Sequence, residues 1–314
     1  MGRSLTEQLT ASGNYDVTLF NRGKSNAELF KEVKQIHGNR ETEDVEKVYN
    51  QYWDCIIDFS AYYPNTFEKF LNGIKGKVGR YIFISTVSVY DIEKYAGQLI
   101  TEQFETLACS EEQKSSKLPD AYGEKKAEME RLLLAHKEFD KIIFRPSYIY
   151  GKYDYTERFY YWLYRVQHCD KFLLPDGGQP KQLSLSNADD LTQALLQAVE
   201  IKNHSTIYNT ISTPSITIRE LVTVASKAYG KQPEIITTES TDPEKYSLHA
   251  SQFPLLSLLG FTVDDTLWKR DFPFKRAGLE STLLEMRDYK LAVGFPKPVA
   301  GLDVEQEMQA IAKM

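Results

Sequence analysis

The stretch RYIFISTVSVY, residues 80–90, joins a run of apolar and aromatic residues to a cluster of hydroxyl side chains. Short runs of similar composition are DVTLFN at 16–21, CIIDFS at 55–60 and KIIFRPS at 141–147. The continuous apolar residues of 55–60, 80–86 and 141–147 are typical of strands that are buried on both faces of a parallel sheet. The four runs therefore predict strands of one α/β sheet.

Longer charged segments with helical periodicity separate these runs. The helix candidates are residues 3–11, 43–51, 65–75 and 122–136. Strands that alternate with helices form βαβ units with right-handed crossovers, and such units build an open sheet with helices on both faces. The sequence therefore predicts a doubly wound parallel sheet of the Rossmann-like kind.

The alternation of strands and helices weakens after residue 150. The segment YDYTERFYYWLYRVQH at 153–168 is dense in aromatic residues, and LLPDGGQP at 173–180 is a turn cluster. Residues 216–230, ITIRELVTVASKAYG, have the pattern of a strand end and a helix closed by Gly230. Aromatic residues at helical spacing are typical of core packing. We therefore expect a smaller, partly interleaved C-terminal lobe.

Composition and charge exclude several classes of protein. Hydrophobic residues make up 42% of the 314 residues, the net charge is −6, and no apolar run approaches the roughly 20 residues of a membrane span. A negative balance disfavours a general nucleic-acid binder. The three cysteines, Cys55, Cys109 and Cys169, lie far apart, and the chain lacks a basic and apolar leader. These features predict a soluble, cytoplasmic protein with no membrane partner and no disulfide framework. The five histidines show no metal-ligand spacing, so we expect no metal site.

A tyrosine and a lysine four residues apart form the candidate chemical site. Tyr122 and Lys126 lie in AYGEKKAEMERLL, so a helix places both on one face. A nearby ammonium favours the phenolate and lowers the pKa of the tyrosine toward a value useful for proton transfer. Thr86, or its neighbour Ser85 or Ser88, could orient a substrate oxygen. YxxxK alone is a common chance match, whereas its position after a hydroxyl-rich strand end predicts an alcohol/carbonyl redox site.

These motifs, in this order, resemble a known family. STVSVY, YGEKK, FRPSYIYG, SNADDLTQAL and ITIRELVTVASKAYGKQPEI are similar to motifs of the extended short-chain dehydrogenase/reductases, in the NAD-dependent epimerase/dehydratase family. The resemblance implies that Tyr122 and Lys126 are the catalytic pair. It also implies that Thr86, four residues before Tyr90, is the catalytic hydroxyl.

The resemblance also implies a set of cofactor contacts. The second strand of a dinucleotide fold commonly ends in an acidic residue that binds the ribose, but here it ends in Asn21 and Arg22. Because a guanidinium suits a 2′-phosphate, we expect NADP rather than NAD, the alternative being that Arg22 is a solvated turn residue. The implied cofactor residues are Gly2, Asn21, Arg22, Asn39, Phe59, Ser60, Ala61, Lys126, Pro146, Ser147 and Tyr148.

In this family a strand and a loop with three spaced glycines precede the first helix, and Gly2 matches the last of these glycines. The earlier glycines and the strand are missing from the sequence, whose first helix is expected to end near Gly13. Loss of a central strand would leave its neighbours unpaired. Two interpretations stay open. The sequence either starts at an internal methionine or is a truncated form with impaired cofactor binding. We favour the first, because the other motifs of the dinucleotide-binding half are kept.

The resemblance divides the chain into a dinucleotide-binding domain at 1–150, to which 183–212 returns, and a substrate-binding lobe at 151–182 and 213–314. It implies an NAD(P)-dependent oxidoreductase or epimerase/dehydratase, acting on a hydroxyl or carbonyl substrate such as a nucleotide-sugar, with a homodimer as the default assembly. Val87 and Ser88 stand where a dehydratase would place a further carboxylate, which argues against that subtype. The alternative is a non-catalytic or RNA-binding protein on the same fold, because FNRGK and LLPDGGQPKQLS resemble the chloroplast stem-loop RNA-binding branch.

Overall fold

The computed structural model describes residues 1–237, 248, 250–256 and 260–314. The helices among them are α1 (Gly2–Ser12), α2 (Pro64–Gly73), α3 (Glu111–Ser115), α4 (Tyr122–Ala135), α5 (Arg158–His168), α6 (Ala188–Glu200), α7 (Ile218–Tyr229), α8 (Thr266–Asp271), α9 (Leu279–Leu291) and α10 (Val304–Ile311). The strands are β1 (Thr18–Asn21), β2 (Lys34–His37), β3 (Trp53–Asp58), β4 (Val78–Ile84), β5 (Leu99–Ile100), β6 (Asp140–Pro146), β7 (Tyr148–Tyr150), β8 (Lys171–Leu174), β9 (Leu183–Asn187), β10 (Ile207–Thr210), β11 (Thr213–Ile216), β12 (Glu234–Thr237) and β13 (Thr262–Val263).

A four-stranded parallel sheet, in the order β10-β6-β4-β3, forms the centre of the molecule. Successive residues of its strands point to opposite faces, and both faces are buried. On one face Tyr81 and Phe83 pack with residues of α2 and α4, and on the other Ile82 and Ile84 pack with residues of α1 and α6. The doubly wound sheet predicted from the continuous apolar runs is therefore confirmed.

Strands β1 and β2 form a separate two-stranded parallel sheet. The prediction that the run 16–21 joins the same sheet as the other three runs is therefore wrong. Within the described residues, β1 pairs only with β2 and β3 pairs only with β4, so neither strand is hydrogen-bonded to the other. Residues Glu43–Asn50, predicted as a helix, form a 3-10 helix rather than an α-helix. Its apolar positions, Val45 and Val48, are three residues apart, which matches the 3-10 repeat, and both are buried.

The C-terminal part of the chain builds smaller sheets, in the orders β11-β9-β7, β12-β8 and β13-β5. The aromatic residues of α5 are buried in the largest apolar cluster, as their helical spacing predicted. Gly230 closes α7 with a φ of 63°, in the left-handed region expected of a helix-ending glycine. Strand β10 returns to the central sheet, whereas β9 joins the β11-β9-β7 sheet. Residues 238–247, 249 and 257–259 of the predicted lobe lie outside the described residues.

No helix in the described part of the chain is both long enough and apolar enough to cross a bilayer.

The acidic pair Asp189 and Asp190 lies in the first turn of α6 and follows Asn187, whose side chain accepts hydrogen bonds from both backbone N–H groups. This is a favourable position for carboxylates because helix N-termini carry partial positive charge. The principal architectural consequence for function is that three central strands end at one edge of the sheet.

Candidate active site

The carboxyl ends of β3, β4 and β6 meet at one edge of the central sheet. Ile84 pairs with Phe144 in the strand register, and the Ser85 backbone N–H donates to the Phe144 carbonyl oxygen at 2.7 Å. In parallel α/β sheets this edge is where ligands bind. We call it the strand-end edge, and define it by the residues that follow the three strands: Phe59–Ala61, Ser85–Thr86 and Ser147.

Thr86 has a hydroxyl group that is held in place by a local turn. Its Oγ1 accepts a hydrogen bond from the Ser88 backbone N–H at 3.1 Å and donates to Ser88 Oγ at 3.2 Å. It thereby caps the 3-10 turn Val87–Val89. Thr86 is buried while Ser88 is exposed, so Thr86 is the hydroxyl that the fold orients at the strand-end edge.

Tyr122 begins α4 and is brought against this turn by close backbone packing. Ala121, just before it, adopts a left-handed conformation with a φ of 47°, which is uncommon for a residue other than glycine. A Cβ atom at Gly123 would lie far inside contact distance of the Ser88 carbonyl oxygen. The glycine after Tyr122 therefore lets the start of α4 approach the turn that Thr86 caps.

The pKa of Tyr122 is raised, to about 12, mainly because the phenol loses hydration, although 43% of the residue's surface is exposed. A hydrogen bond with Thr86 opposes the rise in this pKa. The sequence predicted that a neighbouring Lys126 ammonium would lower this pKa, and that prediction is wrong, because desolvation dominates. The phenol is therefore protonated at neutral pH.

Lys126 turns toward the backbone of the sheet rather than toward the phenol. Its Nζ donates to the carbonyl oxygens of Ile84, at 2.7 Å, and Ala61, at 3.2 Å, and lies 4.2 Å from the centre of the Phe83 ring. The residue is 2% exposed, and burial lowers the pKa of the ammonium to about 8. An ammonium has three N–H donors, so one remains for a ligand at the strand-end edge.

Two buried hydroxyl oxygens at this edge, Ser85 Oγ and Ser147 Oγ, have no hydrogen-bond partner within the described residues. Buried polar atoms are rarely left unpaired, and exceptions commonly mark a place for a ligand or water. The Ser147 backbone is itself fixed, since its N–H donates to Ser186 Oγ at 2.9 Å. A nicotinamide carboxamide carries both donors and acceptors, so the residues present fit the polar end of a nicotinamide dinucleotide.

Several other predicted cofactor residues also lie along this edge. A Cβ atom at Gly2 would lie 3.8 Å from the Phe59 ring, so the first residue of α1 is beside the end of β3. Ala61 is buried and contributes its carbonyl to Lys126, while Ser60 is exposed and its Oγ accepts from Arg40 Nη1 at 3.2 Å. Pro146 and Tyr148 flank Ser147, Pro146 being the last residue of β6 and Tyr148 the first of β7.

The predicted residues Asn21, Arg22 and Asn39 form a second group, at the ends of β1 and β2. Asn21 Oδ1 accepts from the Gly23 backbone N–H at 2.7 Å, and Asn39 Oδ1 accepts from the Glu41 backbone N–H at 3.1 Å. Both carbonyl groups therefore stabilise turns. Arg22 is exposed and has no hydrogen bond or ion pair among the described residues.

Tyr62 was not predicted from the sequence to belong to the site. Its ring centre lies 6.2 Å from that of Tyr122 and 5.7 Å from Lys126 Nζ. The only available signal was its position directly after the Phe59–Ala61 segment. Tyr62 forms an aromatic wall beside the candidate catalytic pair.

Arg158 is a second residue that sequence reasoning missed, because it lies at the start of a run predicted as core. Its Nε donates to Thr156 Oγ1 at 3.2 Å, and the guanidinium lies 5.3 Å over the Tyr148 ring. No hydrogen bond is formed by its other two nitrogens within the described residues. The charge acts to lower the pKa of Tyr122, so Arg158 belongs to the electrostatic surroundings of the site.

Comparison with known proteins shows the same overall fold in proteins that were solved with NAD. Residues 69–171 match the NAD-binding family model described as Male sterility protein. A solved structure of UDP-glucuronic acid 4-epimerase from Bacillus cereus, in complex with NAD, is similar with a TM-score of 0.69 and 17% identity, covering 93% of this chain and 95% of that chain. The enzyme WbmG from Bordetella bronchiseptica, in complex with NAD and UDP, gives a TM-score of 0.68 at 12% identity, covering 96% of this chain and 95% of that chain.

The chain therefore shares its fold with these two solved NAD-bound proteins. The resemblance predicted from STVSVY and YGEKK is therefore confirmed for the fold. No protein with curated annotation matches the chain in sequence. In this fold, the residues of the predicted triad all lie at or against the strand-end edge.

Proposed function

We propose that the protein is an NAD(P)-dependent oxidoreductase of the epimerase or dehydratase type that acts on a nucleotide-sugar. The observation that carries this proposal is the grouping of Thr86, Tyr122 and Lys126 around one strand-end edge that also holds two unpartnered serine hydroxyls. Solved structures with the same fold, described as complexes with NAD and with UDP or UDP-glucuronic acid, support the cofactor and substrate class.

In the proposed reaction, Tyr122 exchanges a proton with a substrate hydroxyl group, which Thr86 orients by a hydrogen bond. A bound nicotinamide ring would supply the hydride acceptor and donor. Because the pKa of Tyr122 is about 12, the phenol begins as an acid. To act as a base it requires a nearby positive charge that stabilises the phenolate, and Lys126 is the buried cation on the same helix face.

Among cofactors, we propose NADP, with NAD as the alternative. The proposal is supported by Arg22, whose exposed guanidinium has no partner among the described residues and whose five N–H groups suit a phosphate. The side chains of Asn21 and Asn39 stabilise the turns that follow β1 and β2. Lys126, Ser85 and Ser147 would hold the nicotinamide end of the same molecule.

For the substrate, Arg158 supports an anionic group such as a sugar-nucleotide diphosphate. Its Nη1 and Nη2 atoms form no hydrogen bond within the described residues, and the guanidinium lies over the face of the Tyr148 ring. Guanidinium groups bind phosphate and carboxylate through paired hydrogen bonds. A cytoplasmic location and a homodimer stay predictions of the sequence.

The decisive experiment is a titration of the purified protein with NADPH and NADH, followed by turnover assays on a panel of UDP-sugars monitored by product chromatography. We expect saturable nicotinamide fluorescence changes and conversion of at least one sugar. Absence of cofactor binding together with RNA binding that weakens steeply with salt would overturn the enzyme proposal in favour of an RNA-binding protein.

A further inference from the structure

A buried polar cluster lies beneath the candidate site. Arg145 donates from Nε to both carboxylate oxygens of Glu130, at 2.9 and 3.1 Å, and Nη2 also bonds to that carboxylate. Arg145 Nη1 donates to the Tyr90 hydroxyl at 2.6 Å, and Tyr90 donates to Asn209 Oδ1 at 2.8 Å. We call these four residues the Arg145 cluster. All four are at most 3% exposed.

The Arg145 cluster joins the elements that carry the site. Tyr90 ends the 3-10 turn that Thr86 begins, and Arg145 lies two residues before Ser147. Glu130 follows Lys126 by four residues on α4, so the two side chains share a helix face. A bidentate arginine–carboxylate pair fixes both groups in direction as well as distance. The cluster therefore ties α4 to the strands and to the turn at the strand-end edge.

We propose that Glu130 is a positioning residue for Lys126, and that Arg145 and Tyr90 hold Glu130 in that role. The proposal rests on the proposed function, in which Lys126 acts on Tyr122 and on the cofactor. Glu130 does not touch the reacting atoms. It acts by keeping a negative charge at a fixed place beside a buried ammonium.

The physical reason lies in the charges that surround Lys126. Asp58 at the end of β3 and Glu130 on α4 favour the ammonium, whereas burial and the positive Arg40 disfavour it. Replacing Glu130 by glutamine removes one of these anions and also leaves Arg145 without its counter-ion in a buried setting. Both changes favour the neutral amine of Lys126 over its ammonium form.

The direct test is the Nζ signal of Lys126 in ¹⁵N-lysine-labelled protein, assigned by its loss in Lys126→Arg and followed from pH 6 to 10. We expect Glu130→Gln to move the titration of Lys126 to lower pH. The matched control is Glu128→Gln on the same helix, because Glu128 pairs with Arg131 and Lys114 instead. An unchanged Lys126 titration in folded Glu130→Gln would overturn the proposal.

The kinetic arm measures kcat and KM against pH with whichever sugar is turned over. If the pKa of Lys126 falls by one unit from about 8, the fraction of ammonium at pH 7.5 falls about threefold. Glu130→Gln should therefore lower kcat at pH 7.5 by about threefold, and its kcat should recover at lower pH while KM for the cofactor changes little. A loss of kcat that is equally large at all pH values would show that Glu130 has a merely structural role. If no sugar is turned over by the wild type, the proposed function fails, while the NMR titration still decides whether Glu130 acts on Lys126.

Should Glu130→Gln fail to fold, Tyr90→Phe offers a milder change. It keeps the ring and removes only the hydroxyl that accepts from Arg145, so Glu130 is held less tightly. We expect a smaller shift of the Lys126 titration in the same direction and a loss of kcat at pH 7.5 that is smaller than in Glu130→Gln. A lower melting temperature with unchanged kcat and unchanged titration would contradict the proposed role.

Discussion

The two ends of the proposed cofactor site differ in how fully the protein prepares them. At the strand-end edge, Lys126 is buried, Thr86 is held by its own turn, and the unpartnered hydroxyls of Ser85 and Ser147 are enclosed. At the ends of β1 and β2, Arg22 is exposed and unpartnered among the described residues. The first end is enclosed by packing, whereas the second is open to solvent at Arg22.

This difference predicts how each end responds to mutation. Buried groups with several contacts cannot relax when one partner changes, so substitutions at the strand-end edge should have large effects. Exposed groups lose little when they are replaced, so effects at the β1–β2 end should appear only in the choice of ligand. The following experiments test that contrast in order of expected size.

Tyr122→Phe should give the largest effect on turnover. Loss of a general acid–base group lowers kcat by about 10²–10⁴-fold, while cofactor affinity should change little because the ring is kept. Steady-state kinetics and a fluorescence titration check both quantities. Tyr52→Phe, an exposed tyrosine outside the site, is the control; equal activity of the two variants would remove Tyr122 from the proposed mechanism.

Gly123→Ala should destabilise the protein and misplace Tyr122, because the new methyl group would collide with the Ser88 carbonyl oxygen. Overpacking of this kind costs about 1–3 kcal/mol. Thermal unfolding measures the change. Gly2→Ala is the matched control for stability, since its methyl group would meet the Phe59 ring at an ordinary 3.8 Å. If both variants melt alike, the close packing of α4 on the Thr86 turn is not rigid.

The pH dependence of activity should report on Lys126. Its pKa is about 8, so a reaction that needs the ammonium loses kcat/KM as the pH rises through about 8. The contribution of this group to stability has the opposite sign. The unfolded lysine titrates near its ordinary 10.5, so the unfolded state binds more protons between pH 8 and 10.5, and stability from Lys126 rises there.

Lys126→Arg separates these two effects, because arginine keeps its charge throughout this range. Its residual activity should lack the alkaline limb near pH 8. Circular dichroism at each pH serves as the check on folding. The interpretation fails if the limb persists unchanged in Lys126→Arg.

Arg22→Gln should give the smallest effect, confined to cofactor choice. Loss of a phosphate-binding guanidinium should weaken NADPH binding by about tenfold, since a charge-assisted hydrogen bond contributes about 1.5–3 kcal/mol, and leave NADH binding unchanged. Parallel titrations with the two cofactors measure this. Lys24→Gln, an exposed cation nearby, is the control. Equal NADPH affinity in wild type and Arg22→Gln would assign Arg22 to a solvated turn.

The sequence predicted the central fold well because continuous apolar runs leave few alternatives. Residues 80–86 and 141–147 could be buried only between two helical layers, and the structure places them there. The segment at 43–51 was harder to assign, since a 3-10 and an α-helix share the same short apolar spacing. Its type depends on packing that the sequence does not display.

The sequence allowed the candidate site residues to be named, but it did not allow their hydrogen bonds or pKa shifts to be predicted. Spacing placed Tyr122 and Lys126 on one helix face, yet it could not show that Lys126 Nζ bonds to the carbonyls of Ile84 and Ala61. Those acceptors come from the end of β4 and from the segment that follows β3. The predicted direction of the shift in the Tyr122 pKa was therefore wrong, because desolvation and hydrogen-bond direction are properties of the folded site. Tyr62 and Arg158 were missed because only tertiary packing brings them beside the site.

Ala121 offers protein engineers a place to improve the scaffold. Its left-handed backbone, with a φ of 47°, stores about 1 kcal/mol or more of conformational strain. Glycine or asparagine tolerates this geometry. An exchange at position 121 could therefore raise thermostability while every side chain of the candidate site stays as it is, which would separate durability from activity in directed evolution of this protein.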